Sequence, residues 1–156
     1  MQLAVEARGV HPDQAWAWWT DFREGAHDHA FARWAHPERR VERRPDGVVV
    51  LHESGRALGL RYEEVTEVRL ARPRLHFDGR TTFGRFRGTF RFLPSPQGTR
   101  IEVAWDQQLR GPLRWLGPLG AWAVRRFFAW DLRHHVRDLE AEASSGGAGT
   151  VAGASG

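Results

Sequence analysis

The most regular feature of the chain is an alternation of apolar and polar residues in its middle part. Phe86, Phe90 and Phe92 alternate with Arg87 and Arg91. A period of two places apolar side chains on one face of a β-strand and polar side chains on the other. Six strands are predicted, at residues 39–44, 48–53, 60–70, 75–82, 85–92 and 99–109. Short turns rich in Gly, Pro, Asp and Ser separate them, which favours antiparallel neighbours.

The N-terminal segment predicts one more strand and then an aromatic helix. Residues 2–8 alternate apolar and polar side chains up to a glycine, which indicates a half-buried strand. Trp16 and Trp19 lie on one face of a helix predicted over residues 12–22. Residues 23–37 show no regular period, and we expect a second short helix or an ordered loop there.

A long helix is predicted near the C-terminus, over residues 119–143. At 1.5 Å per residue it measures roughly 36 Å, which is long enough to cross the whole sheet. Ala123, Phe127, Trp130 and His134 follow each other at helical spacing. We expect this row to face the sheet, so that the helix covers it.

Length and composition suit one globular domain. The 156 residues are 41% hydrophobic and 27% charged and include no Cys. Disulfide scaffolds, Cys-ligated zinc modules and thiol enzymes are therefore excluded. We predict one domain over residues 1–143 and a disordered tail over residues 144–156, because the tail has no charge and almost no apolar surface.

The charge balance narrows the range of partners. All 23 basic residues are Arg, and 19 acidic residues reduce the formal net charge to +4, which does not favour nucleic acid as a partner. The chain has no run of 18 apolar residues, and its N-terminus has no basic region followed by an apolar one. Neither a membrane span nor a secretory signal is predicted, and we expect a cytoplasmic location.

The order of these elements resembles the START-like, or SRPBCC, superfamily. Three stretches carry the resemblance: VEARGVHPDQAWAWWTDF at residues 5–22, GRFRGTFRFLPSPQGTRIEVAW at residues 84–105, and the C-terminal segment at residues 109–142. The chain looks most like the bacterial polyketide cyclase/dehydrase group. The resemblance implies an α+β helix-grip fold, in which a seven-stranded curved antiparallel sheet wraps around the long C-terminal helix and two short helices follow strand 1.

The resemblance also implies a ligand. In this superfamily the sheet and the long helix enclose an apolar cavity that binds lipids, isoprenoids, quinones or polyketides. The 8 Trp and 9 Phe of this chain are able to supply large, rigid walls for such a cavity. We therefore expect a hydrophobic small molecule as the partner and no cofactor.

Polar residues predicted to point inward are the candidates for chemistry, because a buried polar group without a partner costs about 1–3 kcal/mol. They are His52, Tyr62, Glu64, Gln107, Asp131 and His134. We select His52, Tyr62 and His134 as catalytic candidates, since an acid or base in a shaped pocket is sufficient for cyclase chemistry. The alternative is that each is a satisfied or edge-exposed side chain.

The candidate ligand-binding residues are the inward positions of the last strands and of the two main helices. They are Trp16, Phe86, Phe90, Trp105, Gln107, Ala123, Phe127, Trp130 and Asp131. The alternative for each aromatic residue is that its ring simply fills the core, since cores are large and pockets are few.

Two groups of histidines raise the question of a metal site. His27 and His29 precede the strands, while His134 and His135 lie late on the long helix. Together they are able to supply imidazole ligands for Zn²⁺ if the two groups meet. Adjacent histidines point about 100° apart on a helix, however, so we predict no metal site.

The sequence therefore predicts a binder of a hydrophobic small molecule, acting either as a carrier or as a cyclase or aromatase. The alternative is an Arg-rich surface module that docks on an anionic membrane or on RNA without catalysis. Arg125, Arg126 and Arg133 on the long helix suit transient membrane contact, although neighbouring acids also suit a merely solvated face.

Overall fold

The computed structural model describes residues 1–22, 38–57, 60–82, 84–110 and 117–147. Seven strands and two helices occupy these residues, and their bounds follow the predicted ones closely. The strands are β1 (Gln2–Arg8), β2 (Glu38–Arg43), β3 (Val49–Ala57), β4 (Leu60–Ala71), β5 (Arg74–Thr81), β6 (Gly84–Ser95) and β7 (Gly98–Leu109), and the helices are α1 (Pro12–Trp19) and α2 (Gly117–Gly147). The second short helix predicted after β1 falls outside the described residues.

The strands form one antiparallel sheet in the order β1-β7-β6-β5-β4-β3-β2. Every strand from β2 to β7 pairs with its neighbour in sequence, as the short turns predict. β1 pairs with β7, so the first strand of the chain is the edge strand beside the last one, and β2 is the other edge strand. The sheet is curved, and the predicted helix-grip fold is confirmed.

One face of the sheet is apolar and packs against both helices; we call it the concave face. Alternate residues of each strand point to it, and Leu75, Phe92, Ile101 and Val103 are buried there. The residues between them point to the opposite, convex face, where Arg87 and other charged side chains are exposed. The period of two in the sequence therefore corresponds to the two faces of the sheet.

Helix α1 begins at a capping box. The side chain of His11 accepts a hydrogen bond from the backbone N–H of Asp13, and the side chain of Gln14 accepts one from the N–H of His11 at 2.8 Å. The helix ends at Trp19, three residues before the predicted end. α1 places the ring of Trp16 edge-on against Phe92, with 5.7 Å between ring centroids.

Helix α2 faces the sheet with a different row from the predicted one. Phe128 packs on Trp105 with 4.3 Å between ring centroids, and Leu132, Val136 and Leu139 are buried in the core. The predicted row of Ala123, Phe127, Trp130 and His134 lies on the other side of the helix. Both sides of this helix carry aromatic rings, so helical spacing alone did not distinguish them; the buried row is the one whose apolar character continues to the C-terminal end.

The core lies where β1, β6 and β7 meet α1 and the C-terminal half of α2. Two hydrogen bonds fasten α2 there: the indole N–H of Trp18 donates to Glu142 at 2.8 Å, and the backbone N–H of Arg8 donates to Glu140 at 2.6 Å. The helix continues to Gly147, so its last turn includes the first residues of the predicted tail, and the rest of that tail lies outside the described residues.

The orientation of α2 is testable by stability measurements. Leu132→Ala should lower the free energy of unfolding by about 2–5 kcal/mol, because it leaves a cavity in the core. Trp122→Ala removes a larger side chain from the outward side and should change the free energy of unfolding by only about 0.5 kcal/mol. Urea denaturation measures both. The opposite ranking of the two variants would contradict this orientation.

Candidate functional site

Three ionisable side chains lie side by side on the concave face. Arg39 of β2 is in register with Glu53 of β3, and Glu53 is in register with Glu64 of β4. Glu53 has the same strand parity as Val49, and Glu64 has the same parity as Val68, so all three point to the face that carries the core. We call Arg39, Glu53 and Glu64 the charged row.

The first two members of the charged row form a mostly buried ion pair. The guanidinium of Arg39 lies 2.6 Å from Oε1 of Glu53, with both its Nε and a terminal nitrogen close to that oxygen. The side chains of Arg39 and Glu53 are only 13% and 15% exposed. A pair this short and this shielded from water is stronger than a surface ion pair, and it fixes the position of both groups.

The third member, Glu64, holds its proton unusually tightly. Burial, together with the negative charge of Glu53, raises the pKa of Glu64 to about 7. The hydroxyl of Thr66 donates a hydrogen bond to Glu64 Oε1 at 2.9 Å and acts in the opposite direction, as does the charge of Arg39. The charged row contains one arginine and two carboxyl groups. Glu64 is the carboxyl group that is not paired with Arg39, so it stays protonated at pH values well above the ordinary pKa of a glutamate.

Tyr62 lies next to the charged row, two residues before Glu64 on the same face of β4. It is 5% exposed, and burial together with the charges of Glu53 and Glu64 raises the pKa of its phenol. The hydroxyl therefore keeps its proton at neutral pH and remains able to donate a hydrogen bond.

An aromatic wall adjoins the charged row on the concave face of β5 and β6. It consists of Phe77, Phe86 and Phe90, and the ring centroid of Phe77 lies 5.9 Å from that of Phe86 and 5.5 Å from that of Phe90. The ring of Phe86 covers Gly79, where a Cβ atom would come within 2.1 Å of it. Gly79 is in register with Thr66, so this ring lies one strand spacing, roughly 5 Å, from the strand that carries Glu64.

Of the three residues predicted as catalytic, the structure places only Tyr62 beside the charged row. His52 points to the convex face, where its side chain is 43% exposed and its Nε2 lies 3.6 Å from Glu42 Oε2. His134 is on the outward side of α2, where its Nδ1 lies 2.9 Å from the backbone carbonyl of Trp130. Neither imidazole is close to the concave face.

The predicted ligand-binding residues divide into two sets. Trp16, Phe90 and Trp105 pack against other rings on the concave side, and Phe86 and Phe90 belong to the aromatic wall. Gln107 is in register with Phe86 and is exposed.

The predicted ligand-binding residues of α2 lie away from the sheet. Ala123, Phe127 and Trp130 are exposed on the outward side of the helix. The side chain of Asp131 is mostly buried, and its Oδ1 lies 3.9 Å from Nδ1 of His135.

The second histidine of α2 contacts α1. The ring centroid of His135 lies 6.0 Å from that of Trp18 and 5.9 Å from that of Trp19. His27 and His29 lie outside the described residues. The described residues contain no group of three or more His, Asp or Glu side chains arranged to hold a metal ion.

Sequence reasoning missed Arg39 and Glu53 as site residues. The usable signal was a charged residue at an inward position on each of β2, β3 and β4. Only the register of the strands shows that these positions form one row, and a one-residue shift would have turned each of them outward.

One groove of the described structure lies on the convex face and measures about 640 Å³. His76, Asp78, Arg87 and Asp106 are among its lining residues. It is on the opposite side of the sheet from α2, so it differs from the predicted cavity.

None of the described helices is long and apolar enough to cross a membrane.

The raised pKa of Glu64 predicts a pH-dependent stability. Between pH 4.5 and about 7 the folded chain keeps a proton that the unfolded chain releases, so this group lowers the free energy of unfolding as the pH rises through that range. Glu64→Gln removes the titration and keeps an acceptor for Thr66. It should therefore be more stable than the unchanged protein at pH 8, by up to about 3 kcal/mol, and nearly equal to it at pH 4.5.

Denaturant titrations at both pH values measure this difference. Glu63→Gln is the matched control, because Glu63 is exposed on the convex face and pairs with Arg61 at 3.0 Å. An effect of Glu64→Gln that is the same at both pH values would contradict the assigned pKa.

Comparisons with known proteins agree with this fold. The family model described as polyketide cyclase / dehydrase and lipid transport matches residues 3–143. No curated protein sequence matches the chain.

Several solved structures share the fold at low sequence identity. The protein TTHA0849 from Thermus thermophilus is 17% identical, with a TM-score of 0.69 over 94% of this chain and 99% of that one. A START superfamily protein from Mycobacterium smegmatis is 18% identical, with a TM-score of 0.64 over 89% of this chain and 97% of that one. The Zhui aromatase/cyclase from Streptomyces sp. R1128 is 15% identical, with a TM-score of 0.62 over 92% of each chain. The family match covers residues 3–143 of the 156, and the chain therefore belongs to the polyketide cyclase/dehydrase and lipid-transport family.

Proposed function

We propose that the protein binds a hydrophobic small molecule that carries a carbonyl or hydroxyl oxygen, and that it transfers a proton to or from this molecule as a cyclase or dehydrase does. The observation that carries this proposal is the charged row with Tyr62 on the concave face, because Glu64 and Tyr62 lie on β4, the strand next to the aromatic wall on β5 and β6. The apolar part of the ligand would lie against the wall, and its oxygen would lie at Tyr62 and Glu64.

The aromatic wall supports an apolar, flat ligand. Phe77, Phe86 and Phe90 present rings whose centroids are 5.5–5.9 Å apart, which is the spacing of rings in contact. Rigid rings of this kind bind conjugated or cyclic molecules with little loss of side-chain entropy. Along the same face the surface changes from rings to ionisable groups, so a ligand with one oxygenated end has a defined orientation.

The protonation state of Glu64 supports proton transfer. A carboxyl group with a pKa of about 7 both gives and takes a proton at neutral pH, which an ordinary glutamate does poorly. The phenol of Tyr62 stays protonated and serves as a hydrogen-bond donor. In the loss of water from a β-hydroxy ketone, the Glu64 carboxylate would take the proton next to the carbonyl and then give it to the leaving hydroxyl, while Tyr62 would donate a hydrogen bond to the carbonyl oxygen. The products are a C=C bond and water, and Glu64 returns to its carboxylate form.

The ion pair of Arg39 and Glu53 would act as a positioning pair. It holds the Glu53 carboxylate in place beside Glu64, and the charge of Glu53 is one of the causes of the raised Glu64 pKa. Removing the charge of Glu53 would therefore shift the pH dependence of the reaction rather than only its rate.

The names of the relatives support both an enzyme and a carrier of a hydrophobic molecule. The family description names cyclases and dehydrases together with lipid transport, and one structural neighbour is called an aromatase/cyclase. A carrier and an enzyme would share the same concave site, and they differ in whether the bound molecule is converted.

The proposal is tested by binding and turnover of a β-hydroxy ketone with an aromatic or long alkyl group. The unchanged protein should bind it and release water from it, while Glu64→Gln and Tyr62→Phe should lower the rate at least about 10²-fold with a smaller change in binding. His52→Ala and His134→Ala are the controls and should keep the rate, because both imidazoles lie away from the concave face.

Native mass spectrometry of freshly purified protein complements this assay, since a retained ligand identifies the ligand class. Binding without turnover would identify a carrier. Failure to bind any apolar oxygenated molecule, or loss of turnover in His52→Ala with none in Glu64→Gln, would contradict the proposal.

A further inference from the structure

The N-terminal half of α2 exposes large apolar side chains on the side that faces away from the sheet. Leu119 is 76% exposed, Trp122 is 62% exposed, and Trp130 is 39% exposed. Single exposed apolar residues are common on proteins, but two indoles and a leucine exposed along one helix face are unusual and mark an interaction surface. We call Leu119, Trp122 and Trp130, together with Arg126 and Arg133, the outward stripe.

Helical geometry puts these five residues on one face. At about 100° per residue they fall within an arc of roughly 80°, centred almost opposite Phe128 and Leu132, which face the core. The guanidinium of Arg126 lies 5.9 Å from the centre of the Trp122 ring, so charge and aromatic surface are interleaved along the stripe.

The charge of this half of the helix is mainly positive. Residues 117–134 include three arginines and one acidic residue, Asp131, whose side chain is only 21% exposed. The solvent-facing side therefore combines indole rings with cations and presents little negative charge.

We propose that the outward stripe docks on the surface of a membrane that contains anionic lipids. Tryptophan rings prefer the boundary between head groups and acyl chains, and arginines between them bind lipid phosphates. A helix of this composition lies in the plane of the membrane surface, with its apolar side chains inserted. The inference is independent of the charged row, which lies on the other side of the molecule's core.

Two other occupants fit these observations less well. A second copy of the chain that used the same stripe would bring two positively charged surfaces together, because a two-fold contact pairs a surface with itself. A single-stranded nucleic acid would use the arginines and the indoles, but the exposed Leu119 has no face on which a base can stack.

The experiment is flotation of the purified protein with vesicles. We expect binding to vesicles of phosphatidylcholine with added phosphatidylglycerol, weaker binding to pure phosphatidylcholine, and a loss of binding as salt is raised. The double variant Arg126→Glu/Arg133→Glu should lose at least about tenfold in affinity, because each arginine near the surface contributes roughly a fivefold factor. Trp122→Gln/Trp130→Gln should also lose affinity, even at low salt.

The matched control is Arg80→Glu/Arg85→Glu, which makes the same change of charge at exposed positions of the convex face. It should stay within about threefold of the unchanged protein. Equal losses in the two arginine variants would show only a response to net charge and would overturn the proposal. So would failure of the unchanged protein to float with anionic vesicles, or a dimer that Trp122→Gln/Trp130→Gln disrupts. Thermal melting confirms that each variant is folded.

Discussion

The register of the seven-stranded ladder is the constraint on which the site depends. It puts Arg39, Glu53 and Glu64 next to each other on the face that carries the core, where water does not screen their charges. One guanidinium is able to stabilise one carboxylate fully, and Glu53 takes it at 2.6 Å. A charged Glu64 would be buried beside the negative charge of Glu53, so its neutral, protonated form is favoured. The raised pKa of Glu64 is therefore a consequence of strand pairing.

The concave face changes in character along its length, and this change connects the fold to the chemistry. At one end Phe92, Ile101 and Val103 are sealed by α1 and by the C-terminal half of α2. At the other end the sheet carries Tyr62 and the charged row. The two helices therefore cover the apolar end of the concave face and bury it in the core. The ionisable groups lie at the other end, away from Leu132, Val136 and Leu139 of α2.

Much of the fold could be predicted from the sequence, because its signals are local. Alternation over residues 85–92 and 99–109, together with the Gly and Pro turns, is sufficient to locate the strands and their antiparallel pairing. The side of α2 that faces the sheet was predicted wrongly, since Phe127 and Phe128 are adjacent and each belongs to a row of apolar or aromatic residues at helical spacing. Packing against Trp105 decides between these rows, and that contact joins residues distant in sequence.

The site was harder to predict because its members come from three strands. Tyr62 was found from its inward position, whereas Arg39 and Glu53 resemble ordinary surface charges until the register is known.

The most direct test of this account is an NMR titration of the Glu64 side-chain carboxyl carbon, assigned by comparison with Glu64→Gln. Glu64 should titrate with a midpoint of about 7. In Glu53→Gln the midpoint should fall, because the negative charge that helps to raise the Glu64 pKa is removed. A midpoint near 4.5 in the unchanged protein, the value of an ordinary glutamate, would contradict this account.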